Sequence, residues 1–285
     1  MQYFFGFIIF LFGAALGSFI LVVANRYNTG LPFFKGRSIC FSCNVQLKNK
    51  DLFPIFSFLS LKGKCRYCES KISKETLVVE ILMGFLSVIA ALKSGFFGFD
   101  FSIIHNSYFL IQNFLNFIIL LSIFATILLI SIYDLKHFII PDSFLIALFI
   151  FSLFYVLLLA TGYWLLATNF LSAVLLALPF LLIFLIFKGR WLGFGDVKYI
   201  LVLGFFLGFV EGLSAVILSF WIGAVFSLIA LSLKYFKLHL NLPLLRNNFT
   251  IKSEIPFGPF LSTGIIISFY FSLDIFQIHE FFNIF

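Results

Sequence analysis

Apolar stretches of 18 or more residues recur from one end of this sequence to the other. Each can cross a hydrocarbon core about 30 Å thick as an α-helix. In lipid, only helices and closed barrels satisfy all their backbone hydrogen bonds internally. Composition points the same way: 62% of the 285 residues are hydrophobic and 11% are charged, against roughly 25% charged in an average soluble domain. The expected fold class is an all-α polytopic membrane protein. Eight spans are expected, at 3–23, 76–92, 109–131, 142–161, 164–187, 198–209, 215–233 and 260–282, the sixth being the shortest. Gly204, Gly208 and Gly212 lie four apart around that sixth span, a spacing that allows close helix contact. The opening stretch MQYFFGFIIFLFGAALGSF has no Lys or Arg. It lacks the basic n-region of a cleaved signal peptide and reads as a retained first span.

The charges fix an expected orientation. Residues 26–75 hold ten of the 19 Lys and Arg, and eight more fall in loops on that same side if there are eight spans. Only Lys93 falls opposite. Lys and Arg gather on the cytoplasmic side of a membrane, so the loop after the first span is expected in the cytoplasm and both termini outside. The net charge of +7 follows from this bias, so lipid is the expected partner and nucleic acid is not. The expected organisation is one integral membrane domain, 1–285, with a cytoplasmic loop at 25–75 inserted between the first two spans.

That loop holds all four cysteines, as Cys40-x2-Cys43 and Cys65-x2-Cys68 separated by 21 residues. A Cys-x-x-Cys knuckle points two sulfurs at one centre, and two knuckles complete a tetrahedral thiolate site. In a reducing compartment, four thiols are better read as metal ligands than as disulfides. Zinc fits best, as a structural ion with no open position. An iron–sulfur cluster, a redox pair and four plain thiols are the competing readings. Lys64 and Arg66 are basic neighbours that would favour thiolate.

Four of the twelve acids sit beside or within apolar spans: Glu80, Asp134, Asp142 and Asp196. Ionisable residues at membrane depth are costly and are candidates for function. Asp134, in SIYDLKHFIIPD, and Asp196, in WLGFGDVK, are expected at one membrane face. Two adjacent carboxyls do not both ionise cheaply, so such a pair shares a proton. The ionised member can activate water while the protonated one polarises a peptide carbonyl, as in aspartic proteases. The bland readings stand beside this one. Asp142 follows Pro141 and makes a good helix N-cap, Asp196 can also cap a helix, and Glu80 can be a buried hydrogen-bonding partner. The four His are scattered.

These motifs, in this order, resemble the type IV prepilin peptidases. The match runs through GSF at 17–19, Asn25 and Arg26, both cysteine pairs, CRYCESKIS leading to Val79 and Glu80, YDLKHFIIPD, GFGD at 193–196 and PFGPFLSTG at 256–264. One departure is Phe41, where the family usually has Pro after the first Cys. The GxGD tetrad is also similar to that of presenilin-type proteases. The resemblance implies a membrane aspartic endopeptidase whose catalytic residues are Asp134 and Asp196. It implies cleavage of prepilin-like precursors after a glycine that ends a short basic leader. It also implies zinc on Cys40, Cys43, Cys65 and Cys68, an inner-membrane location, and N-methylation of the new N-terminus with S-adenosylmethionine, an activity that many members with the cysteine loop share. Two other readings are a transporter whose intramembrane acids bind protons or cations, which measured flux would reveal, and an inner-membrane thiol oxidoreductase, which reactive thiols on the outer face would reveal.

Overall fold

The computed structural model describes residues 2–30, 32–33, 38–40, 42–96, 107–159, 163–235 and 255–275. Among these the fold is helical, with two isolated antiparallel bridges and no strand. The helices are α1 (Gln2–Arg26), α2 (Phe56–Ser60), α3 (Lys74–Lys93), α4 (Ser107–His137), α5 (Asp142–Leu159), α6 (Tyr163–Phe187), α7 (Phe194–Leu207), α8 (Phe209–Tyr235) and α9 (Gly258–Phe271). Six of them (α1, α3, α4, α5, α6 and α8) are long and apolar enough to cross a membrane. Large apolar side chains point outward from them, including Ile186 at 71% and Leu228 at 67% exposure. Water does not tolerate apolar surface on that scale, and lipid does. The chain is a multi-pass membrane protein.

Each of the eight expected spans coincides with a helix, but two are shorter than a bilayer. α7 and α9 have 14 residues each, about 21 Å at 1.5 Å per residue. α7 starts four residues before the expected Lys198 and stops at Gly208, whose φ of +77° suits glycine. α8 then begins at Phe209, earlier than expected. α9 ends at Phe271 because Ser272 turns left-handed, with φ 48° and ψ 55°. Residues 160–161 and 276–282 of the expected spans, and Lys35, Arg37, Lys237, Arg246 and Lys252 of the charge pattern, lie outside the described residues.

The chain divides into two compact units, Met1–Ile132 and Tyr133–Phe285. In the first, α1 packs along α3. The approach is close because Gly17 faces α3: a Cβ there would lie 2.8 Å from the Val79 carbonyl oxygen and 2.9 Å from Met83 Cβ. The Ser87 hydroxyl shares its one proton between the Gly84 carbonyl of its own helix at 2.7 Å and, across the interface, the Ile9 carbonyl at 2.9 Å. Small residues and interhelical hydrogen bonds of this kind drive helix association in lipid, where the hydrophobic effect does not operate. Ser73 starts α3 by accepting the Glu75 N–H at 3.2 Å, an N-cap worth about 1 kcal/mol. The loop ahead of it is pinned by Glu80, which is buried and accepts the Ile55 N–H at 2.7 Å. Ile55 sits at φ +63°, a conformation that costs a β-branched residue about 1–3 kcal/mol and persists only when its surroundings hold it.

In the second unit α7 packs against α5, α6, α8 and α9. Gly204 lets it approach α6, since a Cβ there would lie 3.0 Å from Ala173 Cα. Of the three evenly spaced glycines, Gly204 and Gly212 face α6 side chains, and Gly208 makes the turn.

Candidate active site and candidate metal centre

Asp134 is in the last turns of α4 and is buried, at 4% exposure. One carboxylate oxygen, Oδ2, accepts the Gly258 backbone N–H at 2.9 Å. Gly258 is the first residue of α9 and is followed by Pro259, which has no N–H to offer. The free N–H groups of a helix's first turn need acceptors, and Asp134 supplies one from another helix. A Cβ on Gly258 would lie 2.6 Å from that same oxygen, so glycine is required for the contact to form. The sequence contained Gly258 only as part of a motif. Its role is invisible without the fold, because its partner is 124 positions away.

Asp196 is in the first turn of α7, three residues after the N-cap Gly193. Its carboxylate reaches back to the Gly193 N–H, which is the acid half of a capping box. The bland reading of Asp196 therefore holds in altered form, since it caps α7 from inside the first turn. Asp134 and Asp196 lie near enough for their charges to interact. The second unit thus holds two carboxyls together, each fixed by one glycine N–H. Gly195 serves the chain's own packing, as a Cβ there would lie 3.2 Å from Ile140 Cβ.

Asp142 is separate from this pair. α5 begins at Asp142 itself, and the carbonyl of Pro141 takes the first helical N–H groups from Phe144 and Leu145. Asp142 is thus not the N-cap. Its Oδ1 instead accepts from Lys198 Nζ at 2.6 Å, at an exposed site. Exposed pairs of this kind contribute about 0–1 kcal/mol. Asp142→Asn is therefore expected to leave any activity of the acid pair within about threefold of wild type. Inactive Asp142→Asn beside active Asp134→Asn would move the acid pair to Asp142 and Asp196.

The four cysteines come together in the first unit, with their sulfurs all within 4.8 Å of one another. The two knuckles repeat one backbone design. Cys40 N–H donates to the Val45 carbonyl and Asn44 N–H to the Cys40 carbonyl; Cys65 and Glu69 do the same with Ser70 and Cys65. Asn44 and Glu69 both have φ of 55°, and an antiparallel bridge closes each turn, Ile39 with Gln46 and Lys64 with Lys71. Cys40 Sγ and Cys68 Sγ are 3.8 Å apart. Four sulfurs about 2.3 Å from a central zinc would be about 3.8 Å apart, so the donor set fits a tetrahedral ion. The N–H groups of Cys43 and Ser42 lower the Cys40 thiol to about 6, with help from Ser70 and against burial. The Val45 N–H draws the Cys43 thiol down, but burial and its contacts with Cys68 and Cys40 outweigh it and push that thiol up to about 11. Neighbouring thiols compete for negative charge, and a bound cation removes that competition.

Arg66, inside the second knuckle, pairs with Asp51. Its Nε donates to Asp51 Oδ1 at 2.6 Å, and Asp51 Oδ2 also accepts from the Tyr67 hydroxyl and the Lys48 N–H. Burial alone would raise the Asp51 carboxyl, but these donors hold it below the usual range. Asp51 therefore braces the tip of the knuckle.

Residues 11–94 match a family model described as the bacterial peptidase A24 N-terminal domain, and residues 121–228 match the type IV leader peptidase family. Together they cover about two thirds of the chain. The chain is similar to a "Prepilin leader peptidase/N-methyltransferase" of Bacillus subtilis (strain 168), 36% identical over 88 residues, 31% of this chain and 36% of that one. It is similar to the protein of that name from Aeromonas salmonicida (strain A449), 40% identical over 68 residues, 24% of this chain and 22% of that one. It is also similar to that of Vibrio cholerae serotype O1, 28% identical over 149 residues, 50% and 52% of the two chains. The chain thus spans between about a fifth and a half of the length of these relatives. No solved structure matches.

Proposed function

Because this chain belongs to the type IV leader peptidase family, we propose that it is a membrane aspartic endopeptidase that removes the short basic leader of prepilin-like precursors after a glycine. Asp134 and Asp196 are its catalytic pair. The observation that supports this reading is the meeting of those two acids in one unit, each with a single glycine N–H on its carboxylate. One N–H occupies one acceptor position, and each carboxyl keeps others for water and substrate.

The chemistry consumes one water. The ionised carboxyl takes a proton from it as the oxygen attacks the scissile carbonyl, and the protonated carboxyl gives its proton to the carbonyl oxygen. The tetrahedral intermediate collapses when a proton reaches the departing nitrogen and the C–N bond breaks. The products are a leader with a C-terminal glycine carboxylate and a mature protein with a free amine. The amine is the natural acceptor for a methyl group, and S-adenosylmethionine is the proposed donor for a second activity. The catalytic pair lies in one integral membrane domain, 1–285, of the inner membrane. The loop at 25–75 and the acids face the cytoplasm, and both termini lie outside. The positive-inside distribution supports that orientation, and the partners are lipid and prepilin-like proteins. Pilus assembly and type II secretion are the processes that such substrates serve.

The test is incubation of the purified protein with a precursor and S-adenosylmethionine, followed by mass spectrometry of the product N-terminus. Cleavage after glycine with a gain of one methyl group supports both activities. Cleavage without methylation leaves the peptidase alone, and no cleavage of any leader-bearing precursor overturns the proposal.

Zinc is the ion proposed for Cys40, Cys43, Cys65 and Cys68, where it would join two separate turns into one folded loop. Metal analysis under reducing conditions is expected to give about one zinc per chain. Four-Cys→Ser substitution is expected to abolish zinc binding and to lower cleavage, with methylation hit at least as hard. Protein that is metal-free when purified without chelator would rule zinc out. Full retention of both activities in the substituted protein would remove the loop from the working site.

A further inference from the structure

We infer that Tyr199 and Ser262 are positioning residues that hold Gly258 so that its N–H stays on the Asp134 carboxylate. The inference rests on the reading of Asp134 and Asp196 as the catalytic pair. Tyr199 lies three residues after Asp196 on α7, hence on the same side of that helix, and it has no solvent exposure. A buried phenol needs a hydrogen-bond partner. Tyr199 finds one across the α7–α9 contact, where its hydroxyl is 2.8 Å from Ser262 Oγ. Ser262 is itself buried and donates to the Gly258 carbonyl at 2.9 Å. A serine hydroxyl has one proton, so the phenol must be the donor in the first bond. The chain of donors therefore runs from Tyr199 to Ser262 to the Gly258 carbonyl.

Gly258 is held at both its polar atoms. Ser262 holds the carbonyl, and Asp134 Oδ2 takes the N–H at 2.9 Å. Asp134 is close enough to act electrostatically on both Asp196 and Tyr199 of α7. The hydrogen-bonded path thus begins one turn from one acid and ends on the other. Packing alone does not explain it. Phe at 199 and Ala at 262 would fill nearly the same space without burying two hydroxyls, which cost free energy unless fully satisfied. A serine bonded back to the carbonyl four residues earlier does not strengthen its own helix. What the two hydroxyls add is a fixed position for Gly258.

The test uses the full-length protein in phospholipid vesicles, with a synthetic precursor carrying a basic leader, a glycine and a hydrophobic helix. kcat and KM are measured per folded enzyme, the folded fraction coming from thermal unfolding in the same vesicles. Tyr199→Phe and Ser262→Ala are each expected to lower kcat about tenfold with KM within about twofold. The double variant should be no worse than the poorer single, because both act through one contact. Ser262→Thr, which keeps the hydroxyl, should retain a kcat close to wild type. Wild-type kcat in both single variants, a rise in KM without loss of kcat, or Ser262→Thr as poor as Ser262→Ala would each overturn the inference. If Tyr199→Phe does not accumulate, the Ser262 pair decides alone. Asp134→Asn, run in parallel, separates the two ideas. If it still cleaves, the catalytic pair itself is wrong. If it is inactive while Tyr199→Phe and Ser262→Ala run at full speed, only the positioning role fails.

Discussion

Asp134→Asn and Asp196→Asn are each expected to abolish precursor cleavage, by at least about a thousandfold, while the protein still folds and inserts. The structure explains why folding should survive. Asparagine keeps a side-chain oxygen that can accept the Gly258 N–H at 134 or the Gly193 N–H at 196. What it loses is the ability to take and give a proton. The two acids share one proton cycle, so the double variant should be little worse than either single one, as residues that act as a unit are non-additive. Cleavage assays on the three purified variants, normalised to inserted protein, decide the matter. Substantial cleavage by either single variant would rule out the pair.

Gly258→Ala carries the second large effect. The added Cβ would lie 2.6 Å from Asp134 Oδ2, 3.2 Å from its Cγ and 3.3 Å from its Cβ. All three atoms belong to the buried Asp134 side chain, so the clash is relieved only by moving that carboxyl or the start of α9. Either Asp134 rotates away and loses the N–H, or the start of α9 shifts. A displacement of about 1 Å in a catalytic group can cost about a hundredfold in rate, and a loss of kcat of that order is expected. Gly223→Ala is the control, because its nearest neighbour would be Phe260 Cδ2 at 3.4 Å, an ordinary contact. Equal kcat for the two alanine variants would show that the Asp134–Gly258 contact is not needed.

The sequence makes some of this architecture legible and hides the rest for physical reasons. Hydropathy marks helices because apolar runs are local, so every expected span coincides with a helix. It misplaces the start of α7, whose first two turns contain Asp196 and Lys198; charged residues at a helix start look like a loop to a hydropathy reading. The cysteine pairs are legible because each knuckle closes on itself within six residues, Cys40 to Val45 and Cys65 to Ser70. Asp134 and Asp196 stand out because acids are rare near apolar spans. Asp142 stands out equally, and only the fold shows that it faces Lys198 at the surface. Glu80 with Ile55, Asp51 with Arg66, and Gly258 with Asp134 are long-range pairs. No window of sequence contains both members of the last pair.

The order of residues in the first unit has a consequence for how the protein is made. Cys40, Cys43, Cys65 and Cys68 all precede α3, which begins at Lys74. A ribosome adds about 5–20 residues per second, so all four thiols exist before α3 does. The knuckles need nothing from α3, because their hydrogen bonds are internal to the loop. The cysteine turns can therefore form while α1 is the only finished long helix and its glycine face has not yet met α3. Glu80 then arrives on α3, closes on Ile55 and fastens a loop that is already shaped. This order would let a metal bind during synthesis, before α3 is made. If zinc is the ion that these thiols hold, its capture belongs to the nascent chain, before α3 closes the unit.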